Sequence, residues 1–293
     1  MTLAAHRLIL TFVLSVALAA GVLLARPPVN PFRTLEPGLE LGTFSADALS
    51  PSGMGTVTII RVDPSRWEFR LLGQSAGDAP GNLSVAEWAR RHKLTVAVNA
   101  GMYDIDYVSH IGYMKSGNHI NRKLPNSYQS AAVWGPLHDT LPPFFIYDLD
   151  VDSLKSLPPK YSHVVQNLRL IKRPRDNRWT RQQKQWSEVA LGQDDQGRAL
   201  FIFSRAPWTM YDLNEFLLSL PIGIVAAQHL EGGSEAQMHV RTGDTTFTLI
   251  GGYTTSSGDR RRGWSGWPIP NVLGVVPRTP PPQATPKRPP ERP

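Results

Sequence analysis

The hydrophobic pattern along the chain changes most sharply at a carboxylate. The run Ile222–Leu230 contains no Asp, Glu, Lys or Arg, and it ends at Glu231, which is followed by Gly232 and Gly233. A short apolar run bounded by glycine is typical of a buried strand that enters a tight turn. A carboxylate in that position is costly unless it is paired, hydrogen-bonded or used in chemistry. Glu231 is therefore either a satisfied structural carboxylate or a functional group, and the pattern alone leaves both open.

A second stretch has the same design, and a predicted helix precedes each of the two. Ser84 and Glu87 have the spacing of a capping box at a helix start. The strand predicted over Leu94–Val98 then ends at Asn99, before a glycine turn. The later unit places its helix at Met210–Leu220. If the two strands lie side by side in one sheet, the polar residues that end them share one edge.

The remaining apolar segments are short and alternate with turn residues, as strands and hairpins do. These patterns predict an α+β fold, with a strand-rich mixed sheet and two main helices in a single domain over residues 51–276. The further strands are predicted at Thr56–Val62, Trp67–Leu72, Gly112–Lys115, Asn118–Ile120, Ala131–Trp134, Phe144–Asp148, Val164–Ile171, Ser187–Gly192, Ala199–Ser204, Ala236–Arg241, Thr245–Ile250 and Val272–Val276.

Both ends of the chain have the composition of segments outside the core. Leu8–Ala25 carries no charge over 18 residues, which predicts a signal peptide or an uncleaved membrane anchor within residues 1–25. In either case Arg7 stays inside and the domain is extracytoplasmic, in the periplasm or the cell envelope. Residues 26–50 are predicted to be a linker. From Pro277 onward 8 of 17 residues are proline, which predicts a disordered tail.

The composition excludes several classes of site. The sequence has no cysteine, so it has no disulfide, no thiolate nucleophile and no cysteine-ligated zinc. Its eight histidines form no tight ligand spacing such as HExxH, so we expect no metal site and no cofactor, while acidic side chains leave a hard divalent cation open. The net charge is +7, but there is no nucleic-acid-binding motif, and we expect no nucleic-acid partner.

Glycoside cleavage commonly uses two carboxyl groups that lie roughly 5–10 Å apart. Glu231 is the first candidate, and the possible second carboxylates are Asp104, Asp106, Asp194 and Glu235. Asn99 does not titrate, so its functional role would be to hold a substrate hydroxyl or to orient Glu231. The alternative is an Asx turn that closes its strand. His229 lies two residues before Glu231, which predicts that both side chains share one face of the strand.

Cations near strand ends are candidates for binding a phosphate group. Lys115, Arg122 and Arg169 are the main ones, since Arg and Lys bind phosphate oxygens through charge-assisted hydrogen bonds. Arg169 lies inside a predicted strand, where a charge needs a partner. Lone surface cations are mostly solvated, so each of them has a plain structural alternative.

Four short motifs follow one another in a characteristic order. They are Asn99–Tyr103, the hairpin around Lys115–Ile120, the strand Gln166–Ile171 and the turn Leu230–Gly233. Together they resemble the motifs of the phosphodiester glycosidase family, and the resemblance covers roughly residues 55–276. The turn is similar to that family's Leu-Asp-Gly-Gly-Gly-Ser signature, and Met238 fits its downstream methionine without a gap.

The chain departs from the family at its most specific motif. The acidic residue is Glu231 instead of Asp, and Ser234 and Glu235 replace the third glycine and the serine. The stretch similar to the family's Arg-Thr-Ala-Ile-Gly motif, Ser187–Gly192, lacks that arginine. A longer acid and a missing cation point to another substrate or to a loss of activity.

The resemblance implies a hydrolase that cleaves the glycosidic bond to phosphate in a cell-envelope or extracellular glycoconjugate. In that scheme Glu231 acts on the sugar or on water, Asn99 orients it, and Asp104 is the second catalytic carboxylate. The residues expected to bind the carbohydrate substrate are Gly101, Lys115, Arg122, Arg169, His229, Gly232, Gly233, Ser234 and Glu235.

Two other classes of function stay open at this point. One is a non-catalytic carbohydrate-binding envelope protein that stacks sugars on Trp264 and Trp267. The other is a metal-assisted hydrolase in which Asp and Glu hold a hard cation. Sugar binding without product would favour the first, and loss of activity on chelation would favour the second.

Overall fold

The computed structural model describes residues 30–46, 55–256, 258–259 and 266–279. The chain from Phe32 onward forms one compact unit, and residues 1–31 form another, of which Asn30 and Pro31 are described. The described part of the chain is rich in strands and has two α-helices, so the predicted α+β class is confirmed.

The elements are numbered here in chain order. The helices are α1 (Val85–His92) and α2 (Met210–Ser219). The strands are β1 (Phe32–Glu36), β2 (Leu39–Ser45), β3 (Thr56–Val62), β4 (Trp67–Gly73), β5 (Val96–Asn99), β6 (Met114–Ser116), β7 (His119–Arg122), β8 (Ser130–Pro136), β9 (Phe144–Asp148), β10 (Tyr161–Asn167), β11 (Arg169–Lys172), β12 (Asp176–Asn177), β13 (Trp186–Asp194), β14 (Ala199–Trp208), β15 (Ile224–Gly232), β16 (Gln237–Arg241), β17 (Thr246–Ile250), β18 (Tyr253–Thr254), β19 (Gly258–Asp259) and β20 (Asn271–Pro277).

The described strands form three sheets instead of the one mixed sheet expected from the sequence. The large sheet has the order β1-β2-β3-β14-β13-β15-β11-β12, with β18 beside β13 and β19 beside β18. The second sheet is β7-β6-β10-β8-β9, and the third is β17-β16-β5-β20-β4. All the described pairings are antiparallel. Antiparallel pairing follows from the short turns, since parallel neighbours need long crossovers and few helices provide them.

Both helices begin at a capping residue, and the capping box predicted at Ser84 is present. The Ser84 hydroxyl accepts the backbone N–H of Glu87, and the Glu87 carboxylate accepts the backbone N–H of Ser84 at 2.8 Å. The Thr209 hydroxyl likewise accepts the backbone N–H of Asp212 at 3.0 Å. Each cap satisfies a backbone donor that the helix itself leaves open, which stabilises the fold by about 1 kcal/mol.

Phe69 of β4 joins the three sheets at the centre of the core. Its ring stacks on Phe144 of β9 with centroids 5.2 Å apart and meets the edge of Phe201 of β14 at 6.1 Å. It also lies 6.2 Å from the Trp134 ring of β8. One apolar cluster therefore includes residues from every sheet, and burial of that cluster holds the sheets together.

Two segments differ from the sequence-based expectation. The predicted linker contains β1 and β2, which extend the large sheet, and Leu39 is fully buried there. The alternation of apolar and polar residues in these two strands is hard to recognise in the sequence because glycine and proline interrupt it. The predicted strand Val164–Ile171 breaks at Leu168, so β10 belongs to the second sheet and β11 to the large one. One predicted strand thus crosses from one sheet to another.

Other predictions fall outside the described residues. These are the hydrophobic segment Leu8–Ala25, the aromatic residue Trp264 and most of the Pro-rich tail. Within the described ranges, no helix has the length and apolarity that a bilayer crossing requires.

Candidate functional site

Glu231 lies near the end of strand β15, on the wall of a cavity. The neighbouring strand β13 pairs Val189 with Glu231 and Ala190 with His229, so Leu230 is an extra residue in β15 and forms a bulge. Bulges commonly redirect side chains next to functional sites. Here Leu230 joins the apolar core, while His229 and Glu231 both border a cavity of about 550 Å³.

The cavity combines a few polar groups with apolar and aromatic walls, as ligand sites do. The residues that line the cavity are far apart in sequence and belong to several loops and strand ends. These residues are Met102, Tyr128, Leu168, Lys184, Gln185, Trp186, Met210, His229, Glu231, Gly232, Gly233, Thr254, Thr255 and Ser256.

Glycines shape the turn that follows Glu231. Gly233 has φ +67°, a left-handed conformation that L side chains rarely adopt. A side chain at Gly251 would place its Cβ 1.9 Å from the carbonyl oxygen of Gly233. The two backbone segments are therefore in direct contact, and both positions require glycine.

The carboxyl of Glu231 is 7% exposed and is held in the protonated form at neutral pH. Burial raises its pKa from 4.5 to about 8. The charge of His229 lowers this pKa, and the charges of Glu235 and Glu188 also raise it. The backbone N–H of Gly232 donates to Glu231 Oε1 at 3.0 Å and opposes the rise. Glu231 therefore has the pKa of a general acid that works near neutral pH.

Glu235, in the turn after Glu231, is a second partly buried carboxyl, outside the described cavity wall. Burial raises its pKa, and a hydrogen bond from the Tyr103 hydroxyl opposes this rise. Burial and the charges of Glu235 and Glu231 raise the pKa of Tyr103, so its hydroxyl stays protonated and donates. Glu235 ends the 3₁₀ turn Gly233–Glu235 that follows Glu231, and its charge adds to the rise in the pKa of Glu231.

The buried carboxylate of Glu188 is bonded to the ring of His229. Glu188 Oε1 lies 2.6 Å from His229 Nδ1, and Glu188 Oε2 accepts the indole N–H of Trp186 at 2.8 Å. Burial disfavours the charged ring, but the charge and hydrogen bond of Glu188, with a contribution from Glu231, raise the pKa of His229 above its ordinary value. Burial also raises the pKa of Glu188, and the charge of His229 opposes that rise.

Asn99 lies in the third sheet and Glu231 in the large one, which corrects the expectation that the two strands are neighbours in one sheet. The chain turns after Glu231 and continues into β16, and it is β16 that pairs with β5. The Asn99 amide accepts the backbone N–H of Gln237 at 2.8 Å and donates to the carbonyl of Glu235 at 3.0 Å. Asn99 therefore positions the turn that carries the second carboxyl.

Asp104 is part of a surface turn. Its carbonyl accepts the backbone N–H of Tyr107 at 2.9 Å, and its carboxylate lies 3.5 Å from Arg122 Nη1. The cavity wall formed by the described residues does not include Asp104 or Arg122. Asp104 closes a local turn, whereas Glu235, which is also outside that wall, contributes its charge to the raised pKa of Glu231.

The other predicted phosphate ligands have structural partners. The Lys115 ammonium donates to the carbonyls of Tyr161 and Ser162 at 3.0 and 3.4 Å. Arg169 pairs with Asp148 at 2.6 Å and with a second carboxylate at 2.7 Å. Neither cation is among the described residues that line the cavity. A charge inside a strand does need a partner, but here the partner is a neighbouring acid.

Gly101 and Ser234 support the site without lining the cavity among its described wall residues. A Cβ at Gly101 would lie 2.4 Å from Asn167 Oδ1, so the position allows close packing. Ser234 lies in the 3₁₀ turn Gly233–Glu235 that separates the two carboxyls.

Sequence reasoning missed Glu188, Trp186 and Lys184 as site residues. A signal existed for Glu188, because it is a carboxylate within the apolar run Ser187–Gly192 and so resembles the case of Glu231. No comparable signal marks Lys184, which looks like part of a solvated basic loop. It is the lysine of the described cavity wall.

No group of three or more His, Asp or Glu side chains in the described part of the chain is arranged to hold a metal ion. The carboxyls in and near the cavity have other partners: Glu188 contacts the ring of His229, Glu235 accepts from the hydroxyl of Tyr103, and Glu231 accepts from the backbone N–H of Gly232. Their arrangement suits proton transfer better than binding of a hard cation.

Comparisons with known proteins agree with the motifs. The sequence model of the phosphodiester glycosidase family matches residues 92–276. No curated protein sequence matches the chain significantly. Among solved structures, the chain is similar to the zebrafish N-acetylglucosamine-1-phosphodiester alpha-N-acetylglucosaminidase catalytic domain, auto-inhibited by its pro-peptide, with 16% identity and a TM-score of 0.58. That alignment covers 84% of this chain and 86% of the zebrafish domain.

A hypothetical protein from Synechocystis has a similar structure, with 13% identity and a TM-score of 0.57. This alignment covers 87% of the present chain and 64% of the other. At such identities the likeness concerns the fold alone.

Proposed function

The chain belongs to the phosphodiester glycosidase family, and from this premise we propose that it hydrolyses the glycosidic bond between a sugar and a phosphodiester, with Glu231 as the central catalytic residue. Membership in the family supports a hydrolase that acts on sugar phosphodiesters. The observation that carries the assignment to Glu231 is its buried carboxyl, with a pKa raised to about 8, on the wall of a 550 Å³ cavity.

In the proposed reaction the bond between the anomeric carbon and the phosphate oxygen breaks. Glu231 donates its proton to the departing oxygen, while a water oxygen forms the new bond to the anomeric carbon. The proton of that water passes to Glu235, which ends the turn that follows Glu231. The electron pair of the broken bond stays with the phosphate, so the products are a free sugar and a phosphate monoester.

Three features of the site support this division of roles. The raised pKa of Glu231 keeps its proton available at neutral pH. The hydrogen bond from Tyr103 opposes the rise in the pKa of Glu235 and so favours its ionised, accepting form. Asn99 holds the backbone on both sides of Ala236, through the carbonyl of Glu235 and the N–H of Gln237.

The proposed setting is extracytoplasmic, with a glycoconjugate of the cell envelope or the extracellular space as the substrate. The uncharged segment Leu8–Ala25 supports this setting, because its length suits an export signal or an anchor. We propose no cofactor for the reaction, since acid and base are both supplied by side chains of the chain.

The decisive experiment is release of sugar from a panel of aryl and nucleotide-sugar phosphodiesters by the full chain. Glu231→Gln keeps the shape of the protonated carboxyl, but the amide is not an acid and cannot transfer a proton to the departing oxygen. Turnover should therefore fall by about a hundredfold or more. Glu68→Gln is the matched control, because Glu68 is 43% exposed and pairs with Arg70. Unchanged turnover in Glu231→Gln would refute the assignment.

The same panel separates the alternative functions. Sugar binding without release by the wild type would identify a carbohydrate-binding protein. Loss of release after treatment with a chelator, restored by a divalent cation, would identify a metal-assisted hydrolase.

A further inference from the structure

The proposed hydrolysis gives Glu188 and His229 no role, although both line or support the cavity. Glu188 is 1% exposed and His229 is 4% exposed, so the pair is buried at a cost that needs an explanation. Both oxygens of Glu188 are used, one by the ring of His229 and one by the indole N–H of Trp186. This arrangement fixes the ring in one orientation.

In this orientation one nitrogen of the His229 ring is bonded to Glu188, and the other is available to a ligand in the cavity. Nδ1 lies 2.6 Å from the carboxylate of Glu188 and is therefore the nitrogen that carries a proton. Within the described residues, Nε2 of His229 has no hydrogen-bond partner, and the ring borders the cavity. With Nδ1 protonated, Nε2 donates a hydrogen bond when the ring is charged and accepts one when it is neutral.

We infer that His229, oriented by Glu188, binds the phosphate group of the substrate by donating Nε2–H to a non-bridging phosphate oxygen. Glu188 is then a positioning residue, and His229 determines specificity for an anionic group. This inference rests on the proposed function, because it takes the phosphodiester to be the group that occupies the cavity next to Glu231.

The charges that face the ring fit an anionic ligand. Glu231, on the same strand, is protonated at neutral pH because burial raises its pKa to about 8, so it does not repel a phosphate. Lys184 adds a positive charge to the described cavity wall. The negative charge of Glu188 is compensated within its own pair, and the carboxylate of Glu235 is bonded to Tyr103. Tyr128 is the remaining titratable group of the wall, and burial raises its pKa, which keeps it neutral.

The pH dependence of binding follows from the proton on Nε2. Glu188 raises the pKa of His229 above its ordinary value of 6.5. Below that raised pKa the ring donates to the anion, and above it the lone pair of Nε2 faces the anion instead. Affinity for a phosphodiester should therefore be highest at low pH and fall as the pH rises through the pKa of His229.

The test is binding of methyl phenyl phosphate, a diester with one constant negative charge, measured by ligand-observed NMR across the neutral pH range. The full chain carries Glu231→Gln in this experiment, so that titration of Glu231 adds nothing to the profile. Adding His229→Gln should weaken binding about ten- to hundredfold at pH 6, as expected for the loss of a charge-assisted hydrogen bond, and should flatten the profile.

Two further variants separate positioning from general electrostatics. Glu188→Gln removes the negative charge beside the ring, so the midpoint of the profile should move to lower pH. Lys184→Gln should weaken binding at every pH without moving the midpoint, because it removes a positive charge from the wall and leaves the pair of His229 and Glu188 intact. Circular dichroism and thermal unfolding verify that each variant is folded.

The outcomes distinguish this inference from the proposed function. Equal affinity with and without His229→Gln, or a parent profile that does not vary with pH, would overturn the role of His229; the parent profile alone decides if the variant does not fold. Sugar release by the wild type would still support hydrolysis in that case. The expected binding pattern without any sugar release would refute hydrolysis and leave the anion-binding role in place.

Discussion

Replacing Glu231 by Gln should make the protein more stable at alkaline pH while it removes activity. Burial raises the pKa of this carboxyl from 4.5 to about 8. Between these two values the folded chain keeps the proton and the unfolded chain has lost it. The free energy of unfolding therefore falls as the pH rises through this window, and the contribution of Glu231 is lost completely above its folded pKa.

The size of the effect follows from the same rise. One pKa unit corresponds to about 1.4 kcal/mol, so the rise to about 8 corresponds to at most about 5 kcal/mol. Glutamine has nearly the shape of the protonated carboxyl and does not titrate. The stability advantage of Glu231→Gln over the wild type should thus grow by several kcal/mol between pH 5 and pH 8, or roughly 10 °C in melting temperature.

Thermal and urea unfolding of the full chain at a series of pH values measure this difference. The groups around Glu231 titrate in both proteins, so their effect largely cancels in the comparison. Glu68→Gln serves as the control, because its exposed side chain should give a difference that does not vary over this window. A melting-temperature difference between Glu231→Gln and wild type that stays constant with pH would refute the argument that burial holds a proton on Glu231.

Three other substitutions test the supporting structure. Asn99→Ala leaves the backbone N–H of Gln237 buried without its acceptor, so we expect a loss of about 1–3 kcal/mol in unfolding free energy and reduced turnover; unaltered values in both assays would contradict its positioning role. Arg169→Met should cost about 1–3 kcal/mol because Asp148 loses its nearer cation and keeps only Lys172 at 3.3 Å, yet it should leave the KM for a phosphodiester unchanged, and a raised KM would place Arg169 at the phosphate after all. Gly251→Ala should destabilise the fold by about 1–3 kcal/mol and lower turnover, since its Cβ would collide with the carbonyl of Gly233, while Gly243→Ala, with no atom nearby, should have little effect on either measurement.

Local signals in the sequence were enough to predict the helices and most strands. The caps at Ser84 and Thr209 involve residues three positions apart, so the pattern contains all the information that the structure uses. The strand that ends at Glu231 is likewise marked by its own apolar run and glycines. In each case the decisive interactions are within one turn or one strand.

The composition of the site depends on contacts that no local pattern contains. Glu188 and His229 meet because β13 and β15 pair in a particular register, and a one-residue slip would separate them. The sequence indicates that Arg169 needs a partner, but only the fold shows that Asp148 is close and that the cavity is elsewhere. Asp104 is a different case. In the sequence it is a candidate catalytic carboxylate, but in the structure its backbone carbonyl closes a turn.

The position of β20 also determines when the site can exist during synthesis. This strand pairs with β4 on one side and with β5 on the other, although it follows both of them late in the chain. Until residues 271–277 have been made, β4 and β5 lack the strand that joins them and expose edges that can pair wrongly. Asn99 ends β5, so the turn that it holds is fixed only afterwards. An emerging chain therefore lacks the completed third sheet, and shielding of those two edges during synthesis favours a high yield of folded protein.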